Sequence, residues 1–257
     1  MKVAGARVVI TGAGSGIGAA TARRFAEGGA AVVAVDIDSA SAQATATACG
    51  GEAHTCDVAD ARAVAELARE LGPVDVLVNN AGVGLAGPFL DSTVEDWAWL
   101  RGVNLDGVAH GCYAFGPGMV ARGHGQVVNV ASGAAYIPNR HLAAYCASKA
   151  AVLALSQCLR ADWHASGVGV SVVCPGVIAT PIAAHTRFRG KLAAKQGRAV
   201  RAMRRGHSPD LVAKAIVDCV ERNRDVVPVG FESSLAYKLL RGAPQPIQSL
   251  VARTEMP

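Results

Sequence analysis

The stretch V-V-I-T-G-A-G-S-G-I-G, residues Val8 to Gly18, decides the fold of this chain. Three β-branched residues and a threonine predict a short buried strand, and glycines at positions 12, 14, 16 and 18 predict a tight turn into a helix. A diphosphate can approach such a backbone closely, and the helix start offers unpaired N–H groups and the positive end of its dipole. The stretch is typical of the first βα turn of a dinucleotide-binding fold, although glycine-rich turns also occur without ligands.

Length and composition favour one large α/β domain spanning residues 1–257. Hydrophobic residues make up 51% and aromatic residues 5%, so the core must consist of Ala, Val, Leu and Ile, as in parallel sheets covered by helices. No apolar run predicts a membrane span, and the first strand begins too early to leave room for a signal peptide. Seven scattered cysteines without a C-x-x-C pair indicate reduced thiols and a cytoplasmic location, and no metal-ligand spacing is present.

The formal net charge of +5 comes from one segment. Between His185 and His207 there are eight Lys or Arg residues and no acid, while the rest of the chain carries 17 basic and 20 acidic residues, a net charge of −3. This distribution argues against a protein that coats nucleic acid. The basic segment is either a solvated surface or a contact for an anion such as an acyl thioester carrier, a carboxylated substrate or a lipid headgroup.

Strand and helix patterns alternate along the chain, which predicts βα units and a parallel sheet. We expect a Rossmann-type, doubly wound sheet of about seven strands, with helices on both faces. The predicted strands cover residues 6–11, 31–35, 52–56, 74–78, 126–130, 168–173 and 226–229. The predicted helices cover residues 17–28, 40–48, 60–71, 94–120 with an irregularity at 116–118, 143–166 and 208–222.

Asp36 ends the second predicted strand, about twenty residues past the glycine turn. A carboxylate at this point can accept hydrogen bonds from both hydroxyls of an adenosine ribose. A 2′-phosphate would meet a like charge there, and Ile37 and Asp38 follow instead of an arginine, so the sequence favours NAD over NADP. A carboxylate that only caps the strand end is the alternative.

Tyr145 and Lys149 are spaced i and i+4, which places them on one face of a helix. A free tyrosine has a pKa near ~10 and is a poor base at neutral pH. A nearby ammonium favours the phenolate, and the positive ring of an oxidised nicotinamide would add to this effect. The pair is a candidate acid/base for a hydroxyl proton, or else two residues on a solvated helix face.

Taken together, the motifs of this chain resemble those of the short-chain dehydrogenase/reductase family, in its subgroup of roughly 250-residue chains. The resemblance runs from residue 6 to about residue 229, and the motifs occur in the family's order. They are T-G-A-G-S-G-I-G at 11–18, C-D-V at 56–58, N-N-A-G at 79–82, V-N-L around Asn104, N-V-A-S-G ending at Gly133, Y-C-A-S-K at 145–149, and P-G at 175–176 followed by Thr180.

The resemblance implies a role for each matching residue. Ser132 would orient the substrate oxygen, Tyr145 would exchange a proton with it, Lys149 would lower the tyrosine pKa and hold the nicotinamide ribose, and Asn104 would anchor a water for proton relay. Substrate would contact Ser132, Ala134, Tyr145 and Val177. The cofactor would contact Gly12, Ser15, Gly16, Ile17, Gly18, Asp36, Ile37, Asp57, Val58, Asn80, Ala81, Gly82, Tyr145, Lys149, Pro175, Gly176, Ile178 and Thr180.

These residues predict an oxidoreductase that transfers a hydride between NAD(H) and a secondary alcohol or ketone. A variable lid at about 177–207 and a tail at about 231–257 favour a bulky hydrophobic substrate, such as a lipid-like compound or an acyl thioester. Two alternatives stay open: an NADPH-dependent 3-ketoacyl-type reductase, and a non-catalytic NAD-sensing regulatory protein. The family resemblance also implies a homodimer or homotetramer assembled through the helices at 94–120 and 143–166.

Overall fold

A computed structural model describes residues 1–240 and Pro244, and its core is a parallel sheet. Seven strands form this sheet in the order β3-β2-β1-β4-β6-β7-β9, and a separate short pair joins β5 to β8. In chain order the strands are β1 (Arg7–Thr11), β2 (Ala31–Asp36), β3 (Glu52–Thr55), β4 (Val76–Asn79), β5 (Leu85–Ala86), β6 (Gly125–Val130), β7 (Val168–Pro175), β8 (Arg187–Phe188) and β9 (Val226–Val229). All seven predicted strands are confirmed.

The helices of residues 1–240 cover both faces of the sheet. They are α1 (Gly16–Glu27), α2 (Ser39–Cys49), α3 (Ala61–Leu71), α4 (Val94–Arg101), α5 (Gly107–Arg122), α6 (Ala143–Asp162), α7 (Gln196–Met203), α8 (Pro209–Arg222) and α9 (Phe231–Leu240). Side chains alternate across each strand, so Val8 and Ile10 pack beneath α1, α2 and α8, whereas Val9 packs beneath α3, α5 and α6. This two-sided core is the predicted doubly wound arrangement. No helix within the described residues combines the length and apolar character that a membrane crossing requires.

The strand order reverses beside β1, which positions the functional cleft. β1 pairs with β2 on one side and with β4 on the other, so the connections leave in opposite directions at this point. The chain after β1 runs to one face of the sheet and the chain after β4 runs to the other, so a crevice forms outside the carboxyl ends of these strands, where ligands bind in open α/β sheets.

The long predicted helix at 94–120 is interrupted elsewhere than expected. The irregularity lies in a π-helical turn, Gly102–Asp106, and Pro117 sits inside α5, which continues to Arg122. An irregularity is predicted at 116–118, but α5 continues through these residues, and the interruption lies fourteen residues earlier. The side chain of Asn104, in the π turn, is hydrogen-bonded to the backbone of Val83. Similarly, α6 ends at Asp162 and a separate 3₁₀ turn follows it.

The lid and the tail acquire their structure through contacts with the rest of the chain. The lid contains β8, a 3₁₀ turn over Gly190–Lys195 and α7. The first ten residues of the tail form α9. Residues 241–243 and 245–257 of the predicted tail lie outside the described residues.

A buried carboxylate anchors the lid. Asp96 of α4 is 2% exposed and accepts hydrogen bonds from Arg189 at 2.6 and 2.7 Å and from Arg187 at 3.2 Å. The bonds from Arg189 above all, helped by Arg187, lower the pKa of Asp96 to about 2 against the effect of burial. The Arg187 guanidinium also lies 3.8 Å from the centre of the Trp99 ring. Two of the eight basic residues in the segment therefore contact residues of this protein. The sequence had predicted either a solvated surface or a contact for an external anion.

We expect Asp96→Asn to destabilise the protein by about 1–3 kcal/mol, because charge-assisted hydrogen bonds to both arginines weaken. The native carboxylate has a depressed pKa, so its contribution is complete above about pH 4 and is lost as the pH falls toward 2. Urea unfolding at neutral pH measures the change. Glu95→Gln, at the exposed neighbouring position, is the control, and equal stability of the two variants would contradict the anchor.

Candidate active site

The glycine turn brings the ends of β1 and β4 into direct contact. The Asn80 side-chain amide donates to the carbonyls of Thr11 at 2.9 Å and Gly12 at 3.0 Å, while Thr11 Oγ1 accepts the N–H groups of Asn80 and Ala81. Gly12 has φ +64°, and a Cβ there would lie 2.8 Å from the Ala81 Cα. Any side chain at this position would separate the two loops.

The start of α1 is suited to an anion. Ser15 is its N-cap, but the Ser15 side chain makes no capping hydrogen bond, and no acidic residue lies in the first turn. The N–H groups and the dipole of this helix end therefore meet no competing carboxylate from the helix itself. Ser15, Gly16 and Ile17 all line the cleft, as expected for residues that hold a diphosphate.

The end of the cleft near β2 is acidic. Asp36 accepts hydrogen bonds from the N–H groups of Gly14 at 2.8 Å and Asp38 at 3.1 Å, which fix the orientation of its carboxylate. Asp38 and Asp57 line the cleft beside it. Among the described residues that line the cleft, Lys149 is the single lysine and there is no arginine. A further negative charge at this end would be repelled.

The cleft has a volume of about 690 Å³ and collects most of the predicted site. Four predicted residues lie outside its lining: Gly18 packs against Gly12, Asn104 is fully buried, Ala134 donates its N–H to Ser132, and Val177 is 47% exposed. The predicted residues that line it are Gly12, Ser15, Gly16, Ile17, Asp36, Ile37, Asp57, Val58, Asn80, Ala81, Gly82, Ser132, Tyr145, Lys149, Pro175, Gly176, Ile178 and Thr180.

Ser132, Tyr145 and Lys149 converge on the cleft from two elements. Ser132 follows β6 at the head of a 3₁₀ turn, and the other two lie on the cleft side of α6. Burial raises the pKa of Tyr145, and a hydrogen bond with Ser132 opposes this rise. The phenol is therefore protonated at neutral pH. It is poised to donate a proton, and to accept one it needs additional positive charge nearby.

Lys149 is the buried cation of the site. It is 3% exposed, donates to the Val130 carbonyl at 3.0 Å, and its Nζ lies 5.9 Å from the centre of the Tyr145 ring. Burial lowers the pKa of Lys149 from 10.5 to about 8. The Lys149 ammonium lies close to the turn after β4. A Cβ on Gly82, in that turn, would lie 3.5 Å from Nζ and 3.4 Å from Asn104 Oδ1.

The side chain of Asn104 stabilises the same turn. Its Oδ1 accepts the Val83 N–H at 2.8 Å, and its Nδ2 donates to the Val83 carbonyl at 2.9 Å and to Ser148 at 3.4 Å. π turns recur at functional sites, and this one places Asn104 beside Lys149 without exposing it in the cleft. The proposed water relay through Asn104 stays a prediction.

Part of the wall of the cleft consists of residues that the sequence motifs do not mark. Trp99 lies five residues before Asn104. Nothing in its local sequence distinguishes it from an aromatic residue of the core. Val83, Trp99, Gly102, Val103 and Met203 line the cleft together with Ile182 and His185.

A family model described as short chain dehydrogenase matches residues 6–189. The chain belongs to the short-chain dehydrogenase family. Members of this family are oxidoreductases that bind a nicotinamide cofactor. In this chain the family match covers the glycine turn and all four predicted catalytic residues, and it ends within the lid.

Individual proteins match this chain over different lengths. The chain is 45% identical over 259 residues to the "Probable oxidoreductase EphD" of Mycobacterium tuberculosis, covering 94% of this chain but 44% of that protein. It is 37% identical over 190 residues to the D-threitol dehydrogenase of Mycolicibacterium smegmatis, covering 70% and 73% of the two chains. A short-chain dehydrogenase/reductase structure from Burkholderia phymatum in complex with NAD superimposes with a TM-score of 0.86 at 31% identity, covering 100% and 98%.

Replacing Lys149 with methionine should stabilise the free protein at pH 7 by about 1–3 kcal/mol, because a buried ammonium with a depressed pKa costs stability. The unfolded chain binds this proton more tightly, so the cost is complete below about pH 8 and disappears as the pH rises toward 10.5. Urea unfolding of both proteins between pH 7 and 10.5 tests the sign. Lys214→Met, at an exposed position of α8, is the control, and a pH-independent difference would refute the argument.

Proposed function

We propose that this short-chain dehydrogenase transfers a hydride between NAD(H) and a secondary alcohol or ketone. One observation carries the proposal: a single cleft runs from the Asp36 carboxylate, past the start of α1, to Ser132, Tyr145 and Lys149. Such a cleft can hold a dinucleotide along its length and a small carbonyl compound at its end.

The residues present fit a nicotinamide cofactor. Gly12 and the uncapped start of α1 leave room and positive potential for a diphosphate, and Asp36 is oriented to accept ribose hydroxyls. The acidic end of the cleft supports NAD in preference to NADP, because a 2′-phosphate would lie among Asp36, Asp38 and Asp57. When bound, the nicotinamide ring supplies or accepts the hydride.

Residues of this chain would transfer the proton to and from the substrate oxygen. Tyr145 exchanges a proton with the substrate oxygen, and Ser132 holds that oxygen by a hydrogen bond. Lys149 provides the positive charge that favours the phenolate when an alcohol is oxidised, and Asn104 would connect Lys149 to water. The raised pKa of Tyr145 in the free protein is consistent with these roles. The phenol needs the positive charge of Lys149 and of a bound cationic ring before it acts as a base.

The walls of the cleft support a bulky hydrophobic substrate. Val83, Trp99, Ile182 and Met203 provide apolar surface beside the polar His185. We further propose a reducing, cytoplasmic location, which the seven free cysteines support. Assembly into a homodimer or homotetramer through α5 and α6, which the family resemblance implies, stays a prediction.

Wild-type protein should bind NADH at least about tenfold more tightly than NADPH, because Asp36 repels the extra phosphate. Asp36→Asn keeps an oxygen to accept the Gly14 N–H but removes the negative charge. This variant should therefore show a smaller ratio of NADH affinity to NADPH affinity. Cofactor fluorescence measures both affinities. Asp60→Asn, in the cap of α3 outside the cleft, serves as the control, and tighter NADPH binding by the wild type would overturn the NAD assignment.

Tyr145→Phe should lower turnover by about 10²-fold or more, because the acid/base group is removed. NADH affinity should change less than about twofold, since the ring remains in place. Oxidation of a panel of secondary alcohols with NAD, followed by NADH absorbance, provides the assay. The matched variant Tyr113→Phe, on an exposed face of α5, should behave as wild type, and full activity of Tyr145→Phe would exclude this residue as the proton donor.

A further inference from the structure

The first turn of α9 touches the site from a part of the chain beyond the family match. That match ends at residue 189, whereas Glu232 and Ser233 lie more than forty residues later. The Glu232 side chain reaches the loop after β7, and the Ser233 side chain reaches the end of β7 and Tyr136 in the segment after β6. Residues outside the nucleotide-binding frame therefore contact the loops that form the cleft.

Glu232 joins the loop after β7 to His207, using one carboxylate oxygen for each. Oε1 accepts the N–H of Val177 at 2.7 Å, and Oε2 lies 3.0 Å from Nε2 of His207. Burial opposes ionisation, but bonds from its own backbone N–H, from Val177 and from His207 keep the pKa of Glu232 below its usual value. The carboxylate is charged at neutral pH, which strengthens these hydrogen bonds.

His207 completes the attachment through its backbone. Its N–H donates to the Val177 carbonyl at 2.9 Å, and its carbonyl accepts the N–H of Ala179 at 2.8 Å. Residues 177–179 are thus held on one edge by Glu232 and His207. The same short loop presents Ile178 and Thr180 to the cleft.

Two glycines leave the space that Glu232 occupies. A Cβ on Gly176 would collide with the Glu232 carboxylate, and a Cβ on Gly230 would lie 3.2 Å from both of its oxygens. Gly230 has φ +93°, a conformation that favours glycine, and it turns the chain from β9 into α9. The backbone around the carboxylate is therefore shaped to accept it.

Ser233, the next residue, contacts the other side of the site. Its Oγ donates to the Cys174 carbonyl at 2.7 Å and lies 2.5 Å from the Tyr136 hydroxyl. A Cβ on Gly133, directly after Ser132, would lie 3.3 Å from that Oγ. One helical turn therefore supports both the loop after β7 and the turn that carries Ser132.

We propose that Glu232 is a positioning residue that, together with His207, holds residues 177–180 in the geometry that receives the nicotinamide end of the cofactor. This inference rests on the proposed function, because it assumes that the nicotinamide lies between this loop and Tyr145. Glu232 does not line the cleft, so it acts through Val177.

The test compares two ligands that differ at the nicotinamide. NADH and ADP-ribose share the adenosine and the diphosphate, but ADP-ribose lacks the ring. Calorimetric titration gives the affinity of wild type, Glu232→Ala, Glu232→Gln and Ser234→Ala for each ligand. Ser234 is the neighbouring α9 residue and serves as the matched control. Thermal unfolding of each variant monitors its stability.

Glu232→Ala should weaken NADH about tenfold while ADP-ribose changes less than about twofold, since a charge-assisted contact near the ring end is lost. Glu232→Gln retains an oxygen for the Val177 N–H and should recover most of the NADH affinity. Ser234→Ala should match wild type. If Glu232→Ala does not fold, His207→Ala should show the same selective loss to a smaller degree.

Equal weakening of both ligands, or no weakening of either, would overturn the positioning role. Failure of Glu232→Gln to recover affinity would also contradict it, because the hydrogen bond to Val177 would then be irrelevant. These outcomes differ from failure of the proposed function, in which wild-type protein itself binds neither NADH nor ADP-ribose.

Discussion

The hydrogen bonds between Asn80 and the first turn tie the ends of β1 and β4 together at the point where the sheet reverses. The Asn80 side-chain amide donates to the carbonyls of Thr11 and Gly12, and the Thr11 hydroxyl oxygen accepts the N–H groups of Asn80 and Ala81. The two loops lie so close together that the turn after β1 needs glycine around Asn80. A Cβ on Gly18, for example, would lie 2.7 Å from the Asn80 amide nitrogen. The glycines therefore serve the packing of the protein as much as the approach of a ligand.

Charge is distributed unevenly along the cleft that this junction opens. Three carboxylates lie at the β2 end, whereas the one lysine of the lining lies at the far end, buried between α6 and the turn after β4. A buried ammonium reduces stability, but the apolar faces of the sheet offset this cost. The same burial that lowers the pKa of Lys149 raises that of Tyr145, so the free protein holds both groups away from their usual protonation equilibria.

Two segments beyond the nucleotide-binding frame shape the substrate end, and both depend on buried or half-buried carboxylates. Asp96 fixes the middle of the lid by binding Arg187 and Arg189, and Arg187 also stacks against Trp99 in the wall of the cleft. At the end of the lid, the backbone of His207 pairs with Val177 and Ala179, where the lid begins. The lid is thus attached at its middle and at its two ends, and the exposed cations of α7 lie between the first attachment and the second.

The sequence by itself determined the seven-stranded parallel sheet, the glycine turn and the i, i+4 spacing of Tyr145 and Lys149. Each of these features depends on residues that are close together in the sequence and regularly spaced. Only the tertiary structure decided the π turn at Asn104, the anchoring of Arg189 by Asp96 and the attachment of Val177 to Glu232. The last two pairs lie 93 and 55 residues apart, and an isolated Asp, Glu or Arg carries no local sign of its partner. Periodicity reports which face of an element is buried, whereas the pairing of distant polar groups depends on which loops the folded sheet brings together.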